Sequence, residues 1–156
     1  MLKNLLSLLA LAGLGLALVA APVPTEKKKD EKDDKPFEFP DLESKKWKKL
    51  DSGLKVWDVT EGKGDEVKAG AKVKVNYTGW LTDGTKFDSS FDRKEPIEFG
   101  LNGVIKGWTE GVPGMKPGGI RRLVIPSELA YGDRKVGDVI KPNSTLVFVI
   151  ELIEIK

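Results

Sequence analysis

The residues best placed to do chemistry in this chain are Val104-Ile105-Lys106-Gly107-Trp108, which lie between Val73-Lys74-Val75-Asn76-Tyr77 and Ala130-Tyr131-Gly132. Together these three segments can bring Tyr77, Trp108 and Tyr131 into one apolar pocket. The chain contains no histidine and no cysteine, so it has no His general base, no thiol nucleophile and no Cys/His zinc site. No catalytic triad accompanies the aromatics, and no cofactor or metal is expected. An aromatic pocket without a nucleophile suits a reaction that breaks no covalent bond.

Positioning such a pocket needs a sheet and a helix. Val73, Val75, Tyr77, Gly79 and Leu81 alternate with Lys72, Lys74, Asn76, Thr78 and Trp80, the period of a strand with one buried face. Leu54-Lys55-Val56-Trp57-Asp58-Val59 predicts a weaker strand closed by a turn at Gly62-Lys63-Gly64. Thr82-Asp83-Gly84-Thr85 predicts a hairpin whose Asp-Gly pair takes up the positive φ of a primed turn. Pro96-Ile97-Glu98-Phe99 and residues 119–125 read as further strands. The nearly continuous apolar run over residues 145–152 suits a central strand covered on both faces. One helix is expected: Ile105, Trp108 and Val112 share a helical face, and Gly114 and Pro117 end it. Many strands with one short helix predict an α+β fold, an antiparallel sheet with the helix across one face. Tyr77 and Trp108 then meet in the groove between the two.

The chain has 156 residues, a formal net charge of +2 and 32% charged residues. That length suits one domain with extensions. The charge balance argues against a dedicated nucleic-acid binder, which concentrates Lys and Arg on one face. Residues 1–21 have the layout of a secretory signal, with Lys3 before an apolar run over residues 5–21. Cleavage after Ala21 leaves Pro22 next in line, and cleavage after Ala20 puts Leu18 three residues back. Retention as a membrane anchor is the alternative, at the short end of the about 17–25 residues that a span needs. Residues 22–46 read as a charged flexible linker, because residues 26–35 carry five charges of each sign and no apolar side chain to offset the entropy of ordering. Pro36-Phe37-Glu38-Phe39-Pro40 is expected to dock weakly on the domain edge. Residues 47–156 form the domain. The linker has no heptad pattern, so a monomer is expected.

Tyr77-Thr78-Gly79, Asp83-Gly84, Phe87-Asp88-Ser89-Ser90, Val104-Ile105-x-Gly107-Trp108, Glu110-Gly111, Ala130-Tyr131-Gly132 and Leu146-Val147-Phe148 stand in the order seen in FKBP-type peptidyl-prolyl cis-trans isomerases, which the chain resembles from about Leu54 to Lys156. The resemblance implies a half-open antiparallel sheet wrapped around one short helix, and rotation about prolyl bonds as the reaction. It also implies a pocket walled by Tyr77, Phe87, Val104, Ile105, Tyr131 and Phe148, with Trp108 as floor. Asp88 is then at the rim, Ile140 in the loop above, and Ile97 and Phe99 on the wall where many members have phenylalanine at the position of Ile97. The Ile105 N–H and the Tyr131 hydroxyl are the implied polar contacts to substrate carbonyls. The stretch over residues 99–104 looks like the form common in exported bacterial members, and residues 132–142 leave no room for a large inserted flap. The implied partners are proline-containing unfolded or partly folded polypeptides and macrolide inhibitors of the family.

Each residue also has a structural explanation. Tyr77, Phe148 and Trp108 can be core, Asp88 can pair with Arg93 or cap Ser89-Ser90, and Arg121-Arg122 reads as a solvated strand face. Tyr131 follows a Pro126 turn in a loop, where packing explains less. Three functions therefore stand side by side: a prolyl isomerase acting outside the cytoplasm, a chaperone or peptide-binding module on the same scaffold with weak catalysis, and a carbohydrate binder using Trp80 and Trp108 as stacking platforms.

Overall fold

A computed structural model of the chain describes residues 36–156. The expected signal or anchor over residues 1–21 and most of the expected linker lie outside these residues. Seven strands form one antiparallel sheet: β1 (Lys48–Lys49), β2 (Lys55–Thr60), β3 (Lys72–Leu81), β4 (Lys86–Ser89), β5 (Ile97–Gly100), β6 (Ile120–Ile125) and β7 (Leu146–Ile155). Their order is β1-β2-β6-β7-β3-β4, with β5 pairing on β3. Among the described residues there are two short helices, α1 (Ser90–Arg93) and α2 (Lys106–Gly111), and a 3₁₀ turn spans Ser127–Leu129. Sequence periodicity announced α2. It missed α1 and β1, which are too short to carry a period.

The central strands behave as their side chains dictate. β7 pairs with β3 from Val73↔Ile155 to Leu81↔Leu146 and with β6 along its other edge, and its alternate residues are buried in two clusters, Leu146, Phe148, Ile150 and Leu152 on one face and Val147 and Val149 on the other. Inward residues Val73, Val75, Tyr77, Leu123, Ile125, Leu146, Phe148, Ile150 and Leu152 join Trp108 and Val112 in one buried cluster between sheet and helix. Burying one such aliphatic or Phe side chain contributes roughly 1.5–3 kcal/mol.

The β3–β4 hairpin forms with a different turn from the one expected. Gly84 N–H donates to Leu81 O at 3.0 Å and Leu81 N–H donates to Thr85 O at 2.8 Å. Among the two turn residues only Gly84 has positive φ, 88°. This is a three-residue loop, a type I turn closed by a left-handed glycine, rather than a primed two-residue turn. The Thr85 N–H donates to Asp83 Oδ1 at 2.8 Å, an Asp side-chain bond to the backbone two residues on that is typical of turns.

The sheet's other face is also dry. Trp80, Ile120, Val124, Val147 and Val149 form a second cluster, and Phe39, Leu42, Trp47 and Val59 pack against it. Trp47 meets Trp57 edge-on at 5.4 Å, Phe39 meets Trp80 at 5.9 Å, and the Trp47 indole N–H donates to Asp41 O at 2.9 Å. Residues 37–47 are therefore a strap across the outer face. The packed unit begins about ten residues before the expected boundary at Trp47. Apolar Phe39, Leu42 and Trp47 make the difference from the charged run before them, since only they offer area to bury. The solvated-face reading of Arg121-Arg122 fails for the same reason: Arg122 is fully buried, with its guanidinium 4.3 Å from the Trp57 ring centroid.

Candidate functional site

Trp108 is held at the base of a cavity by its helix and by three rings. α2 starts without a side-chain cap at Ile105, but the Thr109 hydroxyl donates to Leu101 O at 2.7 Å and ties the first turn to the loop before it. Trp108 makes edge contacts with Tyr77 and Phe99 at 5.4 Å and with Phe148 at 5.5 Å. Phe87 meets Phe148 edge-on at 5.6 Å. Such edge-to-face pairs add about 0.5–1.5 kcal/mol each beyond burial, so the walls are mutually braced.

The cavity has a volume of about 640 Å³. Tyr77, Phe87, Asp88, Phe99, Val104, Ile105, Trp108, Tyr131 and Phe148 all line it. Ile97 and Ile140 do not. Ile97 shares Phe99's inward parity on β5 but packs into the core beside Val75, leaving the wall to Phe99, whose ring reaches Trp108. Ile140 is buried and exchanges backbone hydrogen bonds with Val136, so it closes the loop instead of facing the opening.

The rim carries a compact polar group. The Tyr77 hydroxyl and the Arg93 guanidinium both donate to Asp88, and Arg93 Nη2 lies 3.4 Å from the Tyr77 oxygen. Burial first, and then the Asp88 carboxylate, raise the Tyr77 pKa above its ordinary value. Burial pushes the Asp88 carboxyl up, but the Tyr77 and Arg93 hydrogen bonds outweigh it and hold that group below the usual range. Asp88 is thus a committed acceptor and a poor base. The Ile105 N–H and the Tyr131 hydroxyl have no hydrogen-bond partner among the described residues, and Tyr131 is 38% exposed. Both are available to a ligand.

The placement of charge in the lining was not legible. Lys106, Glu128, Asp133 and Arg134 bring two charges of each sign to it, and nothing in their local pattern aims them there. Gly79 was legible as part of Tyr77-Thr78-Gly79, but its role was not. A Cβ there would stand 2.6 Å from Phe87 Cζ and 2.8 Å from Phe148 Cε1, so the two rings occupy the space a side chain would take. An isolated glycine inside a strand is the signal for such a close approach. Trp80, the other candidate stacking platform, is buried in the outer cluster. It lies on the opposite side of the sheet from Trp108, so the two tryptophans cannot form one sugar platform.

Comparison with known proteins follows the same lines. A family model described as FKBP-type peptidyl-prolyl cis-trans isomerase matches residues 63–153. The FK506-binding protein of Neisseria meningitidis serogroup B is 52% identical over 105 residues, 66% of this chain and 96% of that protein. The FKBP-type peptidyl-prolyl cis-trans isomerase FkpA of Escherichia coli K12 is 51% identical over 105 residues, 67% of this chain and 38% of that protein. The crystal structure of FkpA from Escherichia coli superposes with a TM-score of 0.69 at 49% identity, covering 73% of this chain and 53% of that one. That of a peptidyl-prolyl cis-trans isomerase from Pseudomonas syringae gives 0.67 at 41% identity, covering 73% and 84%. The chain belongs to the FKBP-type peptidyl-prolyl cis-trans isomerases, a family of enzymes.

Proposed function

We propose that this chain speeds rotation of Xaa-Pro bonds in proline-containing polypeptides folding outside the cytoplasm, by holding the twisted amide in the aromatic cavity. The observation that carries this reading is the open space above Trp108, walled by Tyr77, Phe87, Phe99 and Phe148. Rotation costs about 18–20 kcal/mol because amide resonance is lost in the twisted state. A twisted amide has a less polar carbonyl, so an apolar, water-poor site favours it over the planar ground state. Each 1.36 kcal/mol of such preference is about tenfold in rate. The Ile105 N–H and the Tyr131 hydroxyl would hold the chain bent by donating to substrate carbonyls. No proton moves, in keeping with an Asp88 already occupied by Tyr77 and Arg93.

The same cavity is the natural place for a macrolide of the kind named in the FK506-binding relatives. The extracytoplasmic setting rests on the apolar run over residues 5–21 and the basic Lys3 before it. No helix among the described residues is long and apolar enough to cross a membrane. Cell fractionation with N-terminal sequencing of the product tests this part: a cytoplasmic chain retaining residue 1 would overturn it. For the chemistry, exchange of a short Xaa-Pro peptide is followed with the full chain and with Phe87→Ala. Turnover by the wild type, lowered at least about tenfold in the variant, supports catalysis. Binding of the peptide without turnover makes the protein a peptide-binding module instead.

A further inference from the structure

The strap that covers the outer face begins with Phe37, whose ring packs on Phe91 of α1. We propose that Phe37 is a positioning residue for the isomerase site: by packing on Phe91 it holds α1, and through α1 the arrangement of Tyr77 and Asp88. The inference rests on the reading that this cavity rotates prolyl bonds.

α1 has four residues, and a single turn does not support itself. Its start is well tied. Ser89 accepts the Asp92 N–H at 3.2 Å, while Ser90 Oγ accepts the Tyr77 N–H at 2.8 Å and donates to Asn76 Oδ1 at 3.2 Å. Its end carries Arg93, whose guanidinium holds Asp88 and lies against the Tyr77 hydroxyl. Lys94, left-handed at φ 55°, stops the helix at once, so no further turn stiffens Arg93. Phe91 sits between the two ends, and its ring centroid is 4.7 Å from that of Phe37 at an interplanar angle of 55°.

Phe37 itself is 39% exposed and stands outside both buried clusters, so general core packing does not account for its position. Phe39, two residues on, packs on Trp80 in the outer cluster. The strap therefore has two separable functions. Phe39 covers the sheet, and Phe37 braces the short helix that carries the rim's guanidinium.

The test uses the full chain as Phe37→Ala, Phe37→Tyr and Phe39→Ala, with kcat and KM for an Xaa-Pro peptide measured beside the denaturation midpoint. Phe37→Ala is expected to lower kcat/KM about two- to twelvefold, the range into which loss of one ring pair converts. Phe37→Tyr, which keeps the ring, restores it. Phe39→Ala lowers the midpoint and leaves kcat/KM of the folded protein unchanged. Wild-type kcat/KM in Phe37→Ala, no rescue by the tyrosine, or an equal loss in Phe39→Ala would each overturn the inference. A wild-type chain without turnover is a different result, and it would overturn the proposed function instead.

Discussion

The Tyr77 hydroxyl donates to the Asp88 carboxylate across eleven residues of chain, joining a ring of the sheet's inner face to the end of the neighbouring strand. Arg93 completes the group from α1. This turns a potential base into a fixed acceptor and keeps the cavity's one buried phenol neutral.

The pH dependence follows. Tyr77 has a raised pKa, so what its neutral form contributes is complete below the ordinary tyrosine value of about 10 and is lost as pH rises through the raised one. Asp88 has a lowered pKa, so its contribution is complete above about 3.9 and is lost as pH falls through the lowered one. Neither titrates between about pH 5 and 8, and kcat/KM should be flat there. A sigmoidal step inside that window would mean that a proton takes part in turnover.

Gly79→Ala should disturb the site from within. The new methyl meets both Phe87 and Phe148, and neither ring can yield without leaving its edge contact. A loss of about 1–3 kcal/mol in stability is expected from such overpacking, together with a fall in kcat/KM of the folded protein. Denaturant titration and the peptide assay read the two separately. An alanine variant with wild-type values in both would show that the rings have room to spare.

Tyr131→Phe removes from an exposed loop residue one hydroxyl that has no hydrogen-bond partner among the described residues. The denaturation midpoint should stay where it is, and kcat/KM should fall by about two- to twelvefold, the worth of one ordinary hydrogen bond of about 0.5–1.5 kcal/mol. Unchanged kinetics would remove the hydroxyl from the list of substrate contacts.

Trp80→Ala should do the opposite. It empties a buried position under the strap, at a cost of about 3–5 kcal/mol, while the KM of the protein that remains folded stays constant. Binding of soluble glycans by the wild type, lost in this variant, would revive the carbohydrate reading that the placement of Trp80 opposes.

Much of this molecule can be read along the chain because the relevant forces are local. The alternation Val73, Val75, Tyr77 sets one face of β3, Asp83-Gly84 demands a turn, and Ile105, Trp108 and Val112 need a helix to share a side. Other features exist only once distant segments meet. Ile97 and Phe99 have the same parity, yet the position of Trp108 makes only Phe99 a wall.

The sequence by itself determined the longer strands, the helix that carries Trp108 and the aromatic inventory of the cavity, since periodicity and residue type act over a few neighbours. Tertiary structure alone decided that Arg122 is buried beneath Trp57, that residues 37–47 cover the second face, and that the Tyr77 hydroxyl joins the Asp88–Arg93 pair. Those outcomes depend on which surfaces lose water together when the sheet assembles, and no short window of sequence contains both partners.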